Sequence, residues 1–150
     1  MTLTFPPTVI VRHRKENPRK CSILPLAGRP DVIFCHYPVT ERPGLEGYLR
    51  LAAEGPELSP ADAEHGLLLL DGSWHWAGAM TRDFAEVPPR SLSNFRTAYP
   101  RVSKLGTDPD NGLASVEALF IAYHILGRPT TGLLDHYHWA AEFLRLNDLK

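Results

Sequence analysis

The sequence predicts an α/β fold, a parallel sheet with helices on both faces, and three observations carry that prediction. Short runs rich in β-branched and aliphatic residues alternate with stretches of helical spacing. The run Gly66-Leu67-Leu68-Leu69-Leu70-Asp71 lacks polar alternation, the pattern of a strand covered on both faces as in parallel sheets. The chain has 150 residues and no evident linker, so one domain over residues 1–150 is expected.

The elements follow in order. Thr8-Val9-Ile10-Val11 and Asp31-Val32-Ile33-Phe34-Cys35 are bounded by proline and polar residues and read as the first two strands, with the leucine run as a third. Between them, residues 45–53 suit one short helix ahead of Glu54-Gly55-Pro56, and residues 74–85 suit another before Pro88-Pro89 stops it. Residues 90–95 can add a strand. Residues 97–112, rich in Pro, Asp, Gly and basic side chains, read as a long loop, and loops of that length inside a compact domain are usually functional. From there Leu113, Val116, Phe120, Tyr123 and Leu126 follow helical spacing, with Asp110 or Asn111 placed to cap the helix and Gly127 to end it. Leu133, Tyr137, Ala140, Ala141 and Leu144 repeat the pattern in a last helix.

Composition narrows the class of function. With 43% apolar and 22% charged residues the chain is an ordinary globular one, and its 11 glycines and 14 prolines make it loop-rich rather than disordered. Cys21 and Cys35 have no CxxC spacing and point to reduced thiols, not to a zinc site or a disulfide framework. The apolar runs are too short to cross a bilayer and the N-terminus lacks a signal peptide's apolar segment, so a cytoplasmic protein with no membrane partner is expected. A formal charge of −1 excludes the global attraction to nucleic acid of a strongly basic protein and leaves only local clusters to provide one.

Three constellations carry potential chemistry. Asp71-Gly72-Ser73-Trp74 sits where a buried strand gives way to a helix, and ligands of open α/β sheets bind at the carboxyl ends of strands. A carboxylate there can accept a proton, and Trp74 offers a flat apolar wall; the commoner reading of the tetrapeptide alone is a helix cap and a core tryptophan. Gly112-Leu113-Ala114-Ser115-Val116-Glu117-Ala118 opens a helix, whose free amides attract a carboxylate or phosphate. Ser115 and Glu117, two apart, cannot both face the core; taken alone the segment is a capped helix with Glu117 offsetting the dipole. Arg12, Arg14, Lys15, Arg19 and Lys20, with Arg96, Arg101 and Lys104 in the later loop, could form a phosphate-tracking surface, although a solvated charge run is the commoner explanation of either cluster. His136 and His138 diverge on a helix, which argues against a metal pair, and no metal is expected.

Taken in order, these motifs resemble the aminocarboxypropyltransferase superfamily, which includes the small-subunit ribosomal-RNA enzyme and the DTW-domain tRNA-uridine enzymes. The resemblance runs through Val11-Arg12-His13, Pro18-Arg19-Lys20-Cys21-Ser22, Leu70-Asp71-Gly72-Ser73-Trp74-x-x-Ala77, Arg90-Ser91-Leu92, Thr97-Ala98-Tyr99-Pro100, the Gly112 to Ala118 heptapeptide and Phe143-Leu144-x-x-Asn147. The histidine and Lys-Cys-Ser segment resembles the ribosomal-RNA branch. Ser73 stands where the DTW group has threonine, and the cysteine cluster of many DTW proteins is missing.

The resemblance implies a SPOUT-like sheet with a C-terminal trefoil knot. It implies an enzyme that uses S-adenosylmethionine and transfers its 3-amino-3-carboxypropyl group to a uridine-type base nitrogen of rRNA or tRNA, releasing 5′-methylthioadenosine. Carried over by position, Ser22, Ser73, Trp74, Leu92, Thr97, Ala98, Tyr99, Pro100, Leu113, Ser115 and Ala118 would bind the cofactor. Asp71 would take or orient the base-nitrogen proton, with Glu117 as second base or as partner of the cofactor's ammonium. Arg12, Arg14, Lys15, Arg19, Lys20, Arg96, Arg101 and Lys104 would meet RNA, and the protein would act as a monomer. The competing expectations are a SPOUT-type RNA methyltransferase and a non-catalytic RNA-binding or ribosome-assembly protein.

Overall fold

The computed structural model describes residues 5–13, 23–39, 43–71, 74–92, 94–98 and 113–149; the side chains of 24 and 74–77 are not among what it describes. Within them lie strands β1 (Thr8–His13), β2 (Val32–Tyr37), β3 (Tyr48–Leu51), β4 (Gly66–Asp71) and β5 (Pro89–Arg90), and helices α1 (Trp74–Asp83), α2 (Ser115–Leu126) and α3 (Ala140–Leu146). The strands form one sheet in the order β2-β1-β4-β3-β5, every neighbouring pair parallel.

Side-chain parity divides the core into two layers, because successive residues of a strand point to opposite faces. Val9, Val11 and Leu68 pack with Met80 and Phe84 on the α1 side. Ile10, Leu67 and Leu69 pack with Leu119, Ile121 and Tyr123 of α2 and Phe143 of α3 on the other. The unbroken leucine run is thus a strand sandwiched between helical layers, as its lack of alternation predicts. By the same parity Arg12 and Asp71, paired in register at the ends of β1 and β4, share the α2 face with Ile10 and Leu69.

Four local expectations are corrected. Residues 45–53 hold β3 instead of a helix. Tyr48, Leu49, Arg50 and Leu51 are all buried between β4 and β5, so tertiary pairing overrides an ambiguous short apolar run. The cap of α2 is Ala114, three residues beyond Asn111, because Glu117 reaches back to the Ala114 N–H at 2.8 Å and satisfies the helix start from within. Asp110 and Asn111 themselves lie outside the described residues. The last helix is shorter than its pattern: residues 131–136 form turns, and α3 begins at Ala140. The strand expected over 90–95 shrinks to Pro89–Arg90 plus a bridge from Ser91 to Glu57. Gly127 does end α2, with a left-handed φ of 72°. Among the described residues no helix is long and apolar enough to cross a membrane.

Candidate active site

The order of the strands places a crevice before any side chain is considered. The chain leaves β1 toward β2 on one side and leaves β4 through α1 toward β5 on the other, while β1 and β4 are neighbours. In open parallel sheets, ligands bind outside the carboxyl ends of two such strands, where the connections part. Arg12 and Asp71 occupy those ends.

Asp71 is held from two directions. Ser115, at the first turn of α2, donates its hydroxyl to Oδ1. The Arg12 Nε lies 3.7 Å from Oδ2. The Asp71 side chain keeps 15% exposure whereas that of Arg12 keeps 5%, so the carboxylate is the more accessible member of the pair and the cation is buried. An oriented carboxylate at the mouth of a cleft can accept a proton from a bound ligand. Arg12 is therefore a correction to the basic surface expected from the sequence: its guanidinium is buried against Asp71 and not offered to a phosphate, because position 12 points into the α2 layer. Beside it His13, also buried, lies against Tyr37 with ring centroids 5.6 Å apart. The hydrogen bond from the Tyr37 hydroxyl to Asp83 pushes that phenol up from its ordinary value. Burial does the same to the Cys35 thiol, which lowers its thiolate fraction.

Glu117 is fully buried and its carboxylate collects four donors. Oε1 accepts from the Thr97 hydroxyl at 2.6 Å and the Ala114 N–H at 2.8 Å. Oε2 accepts from the Ala98 N–H at 2.8 Å and the Tyr137 hydroxyl at 2.9 Å. A buried carboxyl group needs such partners to offset its lost hydration, and here they come from three separate segments. The arrangement joins the start of α2 to the stretch that follows β5.

Of the sequence-derived site residues, these contacts join Asp71 to Ser115 and, separately, Thr97 and Ala98 to Glu117, both groups at the start of α2, and Leu113 and Ala118 are partly buried against the α2-side core. Leu92 lines a groove of about 450 Å³ with Leu58, Phe95, His124 and Ile125, beside the β5 edge. Trp74 begins α1, and its side chain is outside what is described. Ser22, Ser73, Tyr99, Pro100, Arg14, Lys15, Arg19, Lys20, Arg101 and Lys104 also lie outside the described residues. Arg96 is exposed. Among the described residues no three His, Cys, Asp or Glu side chains gather to hold a metal. Tyr137 escapes a reading by residue type, since it fits a helical pattern, and Asn147 enters the sequence reading only as a motif position without a role; the available signal is the hydroxyl of Tyr137 at a core position, which demands a buried partner.

No family model matches the sequence, and no curated protein matches it. Among solved structures the chain is similar to that of the SAM-dependent rRNA:acp-transferase Tsr3 from Vulcanisaeta distributa. The TM-score is 0.72 at 24% identity, over 95% of this chain and 79% of that one. At that identity the likeness establishes a shared fold.

Proposed function

We propose that this protein is an RNA aminocarboxypropyltransferase. In this reading it transfers the 3-amino-3-carboxypropyl group of S-adenosylmethionine to a uridine-type base nitrogen of rRNA or tRNA and releases 5′-methylthioadenosine. The observation that carries the reading is Asp71 at the β1/β4 crevice, oriented by Ser115 and backed by Arg12, in a fold shared with an acp-transferase. The ordered series of motifs through the chain supports it independently.

The residues present fit an S-adenosylmethionine-sized ligand in two respects. The start of α2 carries backbone amides, which suit an amino-acid carboxylate, and the Ser115 oxygen, its proton given to Asp71, can accept from the ammonium. Ala98, Leu113 and Ala118 supply apolar surface next to them, which suits an adenine. The bound cofactor would supply an electrophilic carbon next to a sulfonium leaving group. Thr97, Ala98 and Leu113 would wall the adenine, Ser115 would hold the amino-acid end, and Trp74 would pack beside the sulfonium. A pocket that shielded the methyl and held the carbon chain toward the base would favour carbon-chain transfer over methylation. Asp71 takes or orients the proton of the attacking base nitrogen. Glu117 serves this site through the segments it ties together, since both its oxygens are occupied.

An unpaired base would enter from the side of the exposed Arg96, because sequence-specific RNA recognition splays single bases into pockets, and Arg14, Lys15, Arg19, Lys20, Arg101 and Lys104 are the further basic residues proposed to meet RNA. The SPOUT-like trefoil knot, action as a monomer and a cytoplasmic setting belong to the same proposal.

Calorimetry with S-adenosylmethionine on the unaltered protein and on Trp74→Ala, followed by product analysis with total RNA, tests the proposal. Binding lost in the variant together with release of 5′-methylthioadenosine supports it. Release of S-adenosylhomocysteine instead makes the protein a methyltransferase, and absence of binding at micromolar cofactor leaves a non-catalytic RNA-binding protein.

A further inference from the structure

The stretch Arg96, Thr97 and Ala98 belongs to no strand or helix, yet all three residues are fastened by side chains from elsewhere in the chain. Asn147, at the end of α3, pairs with the Arg96 backbone in both directions: its Oδ1 accepts from the Arg96 N–H at 2.7 Å and its Nδ2 donates to the Arg96 carbonyl at 2.9 Å. Glu117 takes the next two positions, through the Thr97 hydroxyl and the Ala98 N–H. Each clamp is itself anchored. Asn147 Nδ2 also donates to the Phe143 carbonyl at 2.9 Å, and Phe143 is fully buried. Glu117 is anchored by the Ala114 N–H and by the Tyr137 hydroxyl.

We infer that Asn147 and Glu117, with Tyr137 behind Glu117, are positioning residues that hold Arg96, Thr97 and Ala98 as one wall of the S-adenosylmethionine pocket. The inference rests on the proposed function for the identity of the ligand. A short irregular segment without strand partners would otherwise sample many backbone conformations, and each binding event would have to order it again. Two amide-to-carboxamide bonds on Arg96 and two bonds to a buried carboxylate remove that freedom before the ligand arrives. Neither Asn147 nor Tyr137 is among the residues assigned to touch the cofactor, so their effect must pass through the wall. The alternative is that Asn147 only caps α3 through Phe143 and that Tyr137 only fills the core.

Asn147→Ala and Tyr137→Phe separate these readings, and each is measured three ways: affinity for S-adenosylmethionine by calorimetry, melting temperature, and amide exchange at Arg96 and Ala98. The positioning role predicts an approximately tenfold weaker Kd in either variant, equivalent to about 1.4 kcal/mol. It also predicts faster exchange at Arg96 in the first variant and at Ala98 in the second, and a raised KM with kcat within about threefold. Lowered melting temperature with unchanged Kd and unchanged exchange at these amides overturns the inference. Should Asn147→Ala not fold, Tyr137→Phe decides alone. If the unaltered protein fails to bind S-adenosylmethionine, the proposed function falls and this inference with it; if it binds and both variants bind equally well, only this inference falls.

Discussion

Ser115, the first residue of α2, donates its hydroxyl to Asp71, the last residue of β4, across 44 positions of sequence. Strand parity explains the meeting. Leu67, Leu69 and Asp71 point to the same face, the first two build the floor under α2, and the third emerges beyond the floor where α2 begins. The hydrogen bond turns a residue that could have capped α1 into one aimed at the crevice between β1 and β4.

Replacing that carboxylate is expected to affect turnover more than binding. Asp71→Asn keeps the shape and loses the proton acceptor, so turnover should fall by roughly 10²- to 10⁴-fold, the range of a general base. Cofactor affinity should change by less than about tenfold. Single-turnover assays beside calorimetry check the split. A large loss of affinity with normal turnover at saturation would assign Asp71 to binding instead.

Acid stability should depend on Asp31. Its burial works to raise its pKa, but the paired hydrogen bonds from Arg29, Nε to Oδ1 at 2.9 Å and Nη2 to Oδ2 at 3.0 Å, prevail and hold it below the ordinary 3.8. The contribution to stability is therefore full above about pH 4 and is lost as pH falls through the lower, folded value. Urea unfolding between pH 6 and pH 2 should show a limb that Asp31→Asn flattens. Arg29 also donates to the Thr131 carbonyl at 2.8 Å, so the same substitution should loosen the turns ahead of α3.

The alkaline limb should depend on Tyr123. Burial, aided by the nearby Asp31 charge and opposed by the Thr8 hydrogen bond and by Arg128 and Arg29, pushes its phenol up to about 12. A folded value above the unfolded 10 means stability that is full below pH 10 and is lost as pH rises toward 12. The slope should approach about 1.4 kcal/mol per pH unit. Tyr123→Phe should abolish that slope while costing about 1 kcal/mol at neutral pH, from the lost 2.7 Å bond to Thr8. An unchanged alkaline slope in the variant would assign the limb to another group.

Gly66 should tolerate no side chain. A Cβ there would lie 2.5 Å from the Tyr48 ring, and that ring is tethered by its hydroxyl to the Pro7 carbonyl at 2.6 Å. Gly66→Ala should destabilise by about 1–3 kcal/mol, the usual cost of overpacking. Tyr48→Leu in the same chain should return part of that loss, so a double-mutant cycle of the two substitutions will be non-additive.

The sequence by itself determined the parallel α/β class, the strand from Gly66 to Asp71, the helix ended by Gly127, and the placing of a carboxylate at the carboxyl end of a buried strand. These are local signals: an uninterrupted apolar run, a helical repeat, a residue free to take positive φ. Only the tertiary structure decided that residues 48–51 are a strand, since their apolar pattern suits either element and the choice depended on an open place between β4 and β5. It also decided that Arg12 is buried behind Asp71 and that Glu117 serves three segments at once. Sequence spacing carries the period of one element, whereas a hydrogen bond between Glu117 and Thr97, Ala98 or Tyr137 depends on the order in which the elements pack. The strand order β2-β1-β4-β3-β5 sets that packing, and it exists only once the chain has folded.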